Sequence, residues 1–411
     1  MEYKFSQRTK SIGASLIRQM FNYAAEVPGH ISLGVGIPPF EMPQNISSYL
    51  SRALIDNARR INKYTLGRGL PELNKAQCEK LREKGIEVDY ETEILTTAGA
   101  AGGIFCAFTA LVNDGDQAIL LSPPYSNHIS VTRLVGGTPI HIPLQENKGW
   151  ELDASELEKA VGRKTKAIVV CNPSNPTGKV FSEEELRRIG GIARDRDLIV
   201  FEDDAYDFLT YGGNKHVSLA SMTEFKDNVV AFFSASKEHA MTGLRIGWVV
   251  ANKAIIDKVF DIQDNVYICP SSVSQYAALE ALKDRQHAEQ FKQELERSRV
   301  TMCARLDRMP AFTYNPPEGA YYVFPRIEAG LGRAGGIRNK KAQQRFEEIP
   351  EEWRTADTAV ALDLLYDEGV VTVPGIAFGP HGENHIRLSF AAKETDINEA
   401  CDRMEEWIRR R

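Results

Sequence analysis

The sequence predicts an α/β fold: a mostly parallel sheet flanked by helices, with a smaller α+β domain built from both termini. Three observations lead there. Between about residues 90 and 250, short apolar runs alternate with amphipathic stretches. Before and after that region the pattern changes to isolated helices and strands. The 411 residues also exceed one compact core, since domains usually run to about 100–200 residues.

Residues 1–45 hold one helical stretch and a Gly/Pro-rich segment, LGVGIPPFEMP. The runs EILTT (93–97), QAILLS (117–122), KAIVVC (166–171), LIVFED (198–203), VVAFFS (229–234) and IGWVVA (246–251) read as buried strands. They are short, continuous and mostly rich in Ile, Val, Leu and Phe. Between them AAGGIFCAFTALV and SEEELRRIGGIARD read as helices, the second opened by a capping box of Ser182 and Glu185. From about 285, FKQELERSRVTMCARLDRM is a long charged helix. Strands at AYYVF (320–324), VVTVP (370–374) and HIRLSF (385–390) follow, with a helix near 357–368. The expected division is a large domain over 46–285 and a small one from 1–45 and 286–411. Residues 326–356 look inserted: polar, glycine-containing and charged with both signs. They read as a solvated surface excursion, or else as a lid near the site.

Composition narrows the function classes. An apolar fraction of 43% and a charged fraction of 26% are those of a soluble globular protein. Net charge is −6, and no basic patch points to nucleic acid. The start, MEYKFSQRTKSIG, lacks the apolar core of a signal peptide, and no apolar run is long enough to span a bilayer. The six cysteines are scattered with no C-x-x-C, which favours free thiols in a reducing cytoplasm. His381 and His385 have the i, i+4 spacing of some zinc helices. Gly379, Pro380 and Gly382 interrupt the helix that such a site needs, so no metal is expected.

In an open α/β sheet, ligands sit outside the carboxyl ends of the strands. The strand ends here carry AGAAGG, PPYSNH, NPSNPTG, DDAY and SASK. Taken singly, each has an ordinary explanation: Asp203 could cap a helix and Lys237 could be a solvated cation. Parallel strands would bring all of them to one edge. Gly99, Ala100 and Ala101 would then offer backbone N–H groups at a helix N-terminus, a natural anion site. With a strand-end carboxylate, a lysine and Arg245, the set matches the needs of a phosphorylated pyridine aldehyde.

These motifs identify a resemblance. YTLGRGLPEL (64–73), NPSNPTG (172–178), DDAY (203–206), SASKEHAMTGLR (234–245), PEGAYYVFP (317–325) and HIRLSFA (385–391) resemble those of the class I/II aminotransferases. These are fold-type I enzymes that use pyridoxal 5'-phosphate. The resemblance covers nearly the whole chain, and the insertion at 326–356 is its main departure. It implies a Schiff-base lysine at Lys237, which also moves the substrate α-proton. It puts Asp203 against the pyridine nitrogen, Tyr206 and Asn175 on the phenolic oxygen, and Tyr125 stacked on the ring. His128 would support Asp203. Ser234, Ser236 and Arg245 match the phosphate cup, with Gly99, Ala100 and Ala101, and Arg suits it through bidentate contacts. Arg387 and Gly36 match the groups that hold the substrate α-carboxylate, together with Asn175. Tyr64 matches a tyrosine reaching the neighbouring subunit's phosphate, which implies a homodimer with shared sites.

The implied activity is transfer of an amino group between an amino acid and a 2-oxo acid. Elimination, replacement or cyclisation of an amino acid would use the same residues. Asp264 falls at or near the position where dicarboxylate-preferring members carry an arginine. Either it is a helix-surface residue turned away from the site, or the expected substrate is neither aspartate nor glutamate, a basic or otherwise cationic side chain being one option.

Overall fold

The computed structural model describes residues 3–10, 12–13, 15–56, 61–283, 285–331 and 336–411. Its centre is a sheet of seven strands. In spatial order they are Ile94–Thr97, Gly247–Val250, Val229–Ser234, Ile199–Asp203, Thr165–Cys171, Gln117–Ser122 and Thr138–Pro143. The inner strands are buried almost throughout, which is why they read as unbroken apolar runs and not as alternating ones. Helices Gly99–Leu111 and Glu183–Asp195 cover the sheet, the latter closed by the Ser182–Glu185 capping box.

One strand departs from the parallel expectation. Gly247–Val250 runs antiparallel to both of its neighbours. The connection from Ser234 to Gly247 is too short to contain the long helix of a parallel crossover, so the chain turns back on itself. Ser234 pairs with Gly247, and the whole S-A-S-K…R segment is folded as a cap on the sheet end. The remaining strands still point the same way, so the five clusters do share one edge. Strand Thr138–Pro143, parallel to Gln117–Ser122, has no counterpart in the expected set: only its Ile140 and Ile142 are β-branched apolar residues.

The chain ends pack together. Tyr322–Val323, Ile386–Ser389 and Val373–Pro374 form a three-stranded antiparallel sheet. Ile31–Ser32 pairs with Val370–Val371. Helices Gln286–Leu306 and Glu394–Arg409 bury Met302, Leu306, Met404 and Trp407 against them. Among the described residues no helix is long and apolar enough to cross a membrane.

Residues 339–349 are not the loop that their polarity suggests. Asn339 caps helix Lys340–Glu348, accepting from the backbone of Lys341 and Ala342. Ala342, Phe346 and Ile349 are buried with Leu16, Met20 and Ala24 of the helix Leu16–Ala24 and with Leu362 and Leu365. Lys341 and Arg345 both pair with Glu26, at 3.1 and 2.8 Å. The spacing 342, 346, 349 is a helical stripe, diluted in the sequence by charged neighbours on the outer face. The segment therefore buttresses an N-terminal helix. Its residues 332–335 lie outside the described residues.

Candidate active site

A cavity of about 640 Å³ opens at the carboxyl ends of the parallel strands. Every candidate residue lines it except Gly99, Tyr64, Asp264 and the supporting His128. Strand alternation decides which acid of Glu202-Asp203-Asp204 faces inward. Asp203 lines the cavity, and His128 Nε2 lies 3.0 Å from its Oδ2. Glu202 and Asp204 lie on the opposite side. Glu202 accepts from Ser218 Oγ at 2.6 Å, and burial pushes its carboxyl up to about 8.

Lys237 follows from the reversed strand. Ser234 Oγ accepts from Ser236 N at 3.1 Å and starts a single helical turn, Ala235–Glu238, that presents Lys237. Its Nζ donates to Gly36 O at 2.5 Å and lies 5.9 and 5.7 Å from the ring centres of Tyr206 and Tyr321. Burial, then the positive charges of Arg387 and Arg245, pull its amine down to about 8, against the opposing pull of Asp203. The Tyr206 hydroxyl is 2.9 Å from that of Tyr322, and burial holds its phenol neutral, well above the ordinary value. Burial also pushes Tyr125 up to about 12.

At the other end, Arg245 takes a left-handed φ of 51°, uncommon outside glycine. Its Nη1 donates to Thr242 O at 2.9 Å and lies 3.4 Å from Ser236 Oγ. Gly99, with φ +72°, is required beside it: a Cβ there would sit 2.6 Å from Arg245 Nη2. Gly247 serves the same approach, since a Cβ would meet Ala100 N at 2.6 Å. Guanidinium, hydroxyls and the first N–H groups of helix Gly99–Leu111 thus meet at one end of the cavity. Arg387, only 3% exposed, donates to Asn175 Oδ1 at 2.9 Å and Gly34 O at 2.7 Å, with its guanidinium 4.3 Å from the Tyr322 ring centre. Its buried Nε has no partner among the described residues.

Three candidates stand apart. Gly99 backs the Arg245 end without lining the cavity. Tyr64 is 78% exposed. Asp264 sits on the exposed face of helix Lys253–Tyr267 and lines no part of this chain's cavity. Among the lining residues that were not expected, two groups stand out. Tyr322 lies in the AYYVF run, which marks it as a strand residue and nothing more. Ser15, Ile17, Arg18, Phe21 and Asn22, at and within the N-terminal helix, form a side wall, and an amphipathic helix signal does not say which of its faces meets a ligand. His381 and His385 do not share a helix; His381 lies in the turn Pro380–Gly382 and His385 Nε2 lies 3.1 Å from Glu146.

A buried lysine of lowered basicity, sharing one cavity with a strand-end carboxylate and two arginines, defines a cofactor-dependent enzyme of amino-acid chemistry. Comparison with known proteins agrees. Residues 28–404 match the family described as aminotransferase class I and II. An aspartate aminotransferase of Pyrococcus abyssi is 35% identical, with 98% of each chain covered. An aromatic-amino-acid aminotransferase 2 of Thermococcus litoralis is 33% identical, again over 98% of each. The crystal structure of an aromatic aminotransferase from Pyrococcus horikoshii OT3 superposes with a TM-score of 0.83 at 32% identity, covering 95% of this chain and 99% of that one. The chain belongs to the class I and II aminotransferases, pyridoxal 5'-phosphate enzymes that move an amino group between an amino acid and a 2-oxo acid.

Proposed function

We propose that the cavity holds pyridoxal 5'-phosphate with its phosphate at Ser234, Ser236, Arg245 and the N–H groups of Ala100 and Ala101, and its aldehyde at Lys237. The residues fit the group. The end that Gly99 keeps open is cationic and rich in donors, and Lys237 and Asp203 share the cavity with it. One observation carries the assignment: Lys237, Asp203, Arg245 and Arg387, from three separate stretches of chain, line one cavity.

When bound, the cofactor supplies an electron sink for negative charge at the substrate Cα. Asp203 would keep a proton on the pyridine nitrogen, with its carboxylate held in place by His128. Tyr206 and Asn175 would offer donors to the cofactor's phenolic oxygen, and Tyr125 would cover its ring. Arg387 binds the substrate α-carboxylate beside Gly36; its partners at Asn175 and Gly34 fix the guanidinium in advance, so little ordering remains at binding. Lys237, with its amine near 8, is neutral in a far larger fraction near neutral pH than an ordinary lysine. Its nitrogen can therefore take the α-proton and return it.

The working unit is a homodimer with shared sites. Tyr64, Leu66, Val266 and Ile268 are 78, 65, 58 and 42% exposed. Gln263 Nε2, bonded to Gly67 O at 3.0 Å, ties the two segments together. Tyr267 Oη, 3.4 Å from Ala98 N, joins them to the start of helix Gly99–Leu111. An exposed apolar patch beside the phosphate end suits a second subunit that brings its own Tyr64 across. Residues 46–285 act as the large domain, and 1–45 with 286–411 as the small one. Six free cysteines suit a reducing cytoplasm.

Spectral titration of the purified holoenzyme against a panel of amino acids tests the assignment. Conversion of the lysine-bound cofactor to its amine form, lost in Lys237→Ala along with the starting absorbance band, is the expected result. Release of ammonia or a leaving group without that conversion would favour elimination or replacement instead.

A further inference from the structure

Behind the site lies a layer of ion pairs that the chemistry above does not use. Glu238 ends the helical turn that presents Lys237, yet it does not line the cavity. It pairs instead with Lys80, in the last turn of helix Pro71–Arg82. Lys84, four residues on and just past the end of that helix, donates to Asp207 Oδ2 at 2.5 Å and to Asp207 O at 3.3 Å. Asp207 directly follows Tyr206. One helix end thus holds both acids that adjoin Lys237 and Tyr206 in the sequence.

Water cannot stand in for either partner of the first pair, since Lys80 and Glu238 are 7 and 4% exposed. Burial would raise the Glu238 carboxyl, but the charge of Lys80, with Lys84 behind it, outweighs burial and holds it below the usual range. His239 Nε2 lies 3.6 Å from Glu238 Oε2. Burial pulls that imidazole down to about 4, so it is neutral at pH 7. Burying two charges costs stability that apolar residues of similar volume would not. What the pair adds is direction. A single helical turn has little rigidity of its own, and any rotation of it swings Lys237.

We propose, resting on the assignment of Lys237 above, that Lys80 and Glu238 are positioning residues that aim the Lys237 amine. Helix Pro71–Arg82 is the rigid element against which Lys237 and Tyr206 are set, through Glu238 and Asp207.

The test uses the full chain carrying Lys80→Met together with Glu238→Met. That double variant leaves no unpaired charge in the core but loses the tie. Two quantities are read: the rate at which the cofactor-free chain gains its lysine-bound absorbance band on mixing with pyridoxal 5'-phosphate, and kcat against KM of the loaded enzyme. The double variant should melt close to wild type. It should gain the band about tenfold more slowly, with kcat down by a similar factor and KM within about twofold, as expected of a misplaced reacting group. Glu238→Gln, which keeps an acceptor for Lys80, should retain more of both rates than the double variant. Wild-type rates in the double variant would overturn the proposal, as would a loss confined to KM or the reverse order of the two variants. Lys237→Met separates this proposal from the assignment beneath it. A band that still forms there removes the assignment and the positioning role together. No band there, with wild-type rates in the double variant, removes the positioning role alone.

Discussion

Lys237→Met should make the cofactor-free protein more stable at neutral pH. The amine is held near 8 against an ordinary value of 10.5, so the fold disfavours its charged form. At 1.36 kcal/mol per tenfold change in proton affinity, the difference amounts to a ceiling of about 3 kcal/mol. Methionine fills a similar volume without charge. It also gives up the hydrogen bond to Gly36 O, which costs about 1 kcal/mol. That carbonyl is not orphaned, because Tyr321 Oη still donates to it at 2.7 Å. The net gain is then about 2 kcal/mol at pH 7. The sign of its pH dependence follows from linkage. Below pH 8 the lysine is charged both folded and unfolded, and the full cost is present. Between 8 and 10.5 the unfolded chain holds a proton that the folded one has lost, so wild-type stability rises with pH. Above 10.5 both forms are neutral and the cost is gone. Thermal unfolding of the two cofactor-free proteins at pH 7, 8, 9 and 10 measures this. The variant should melt a few degrees higher at pH 7, since about 1 kcal/mol moves the midpoint by ~2 °C in a chain of some 250 residues and by less in a longer one. The gap should close as pH rises. A gap independent of pH, or a wild type that is the more stable at pH 7, would refute the claim that burial and the flanking arginines tune this lysine.

Two further outcomes follow from the same geometry. Mixing Tyr64→Ala with Lys237→Ala should restore activity that neither variant has alone, because a hybrid dimer contains one site free of both defects; hybrids that form and stay inactive would rule out shared sites. Phe346→Ala should cost about 3 kcal/mol, typical of an emptied aromatic core site, and chemical denaturation would show it; a change below ~0.5 kcal/mol, as at ordinary surface positions, would return the inserted segment to surface decoration.

Much of the site is legible in the amino-acid sequence. Continuous Ile/Val/Leu/Phe runs and strand–helix alternation are local signals, and six of the central strands fall where those signals lie. With parallel strands, whatever follows each one reaches a common edge, so Asp203, Lys237, Asn175 and Tyr125 gather there on sequence order alone. Sequence pattern carries no record of pairings between distant segments. The reversal of Gly247–Val250, which brings Arg245 within 3.4 Å of Ser236, depends on which neighbours that strand pairs with. The N-terminal helix reads as an amphipathic helix with no stated partner until the burial of Leu16, Met20 and Ala24 against Phe346 leaves its adjacent face, with Ile17 and Phe21, lining the cavity. An exposed helix face gains a role only from the surface placed opposite it, and that surface comes from chain more than a hundred residues away.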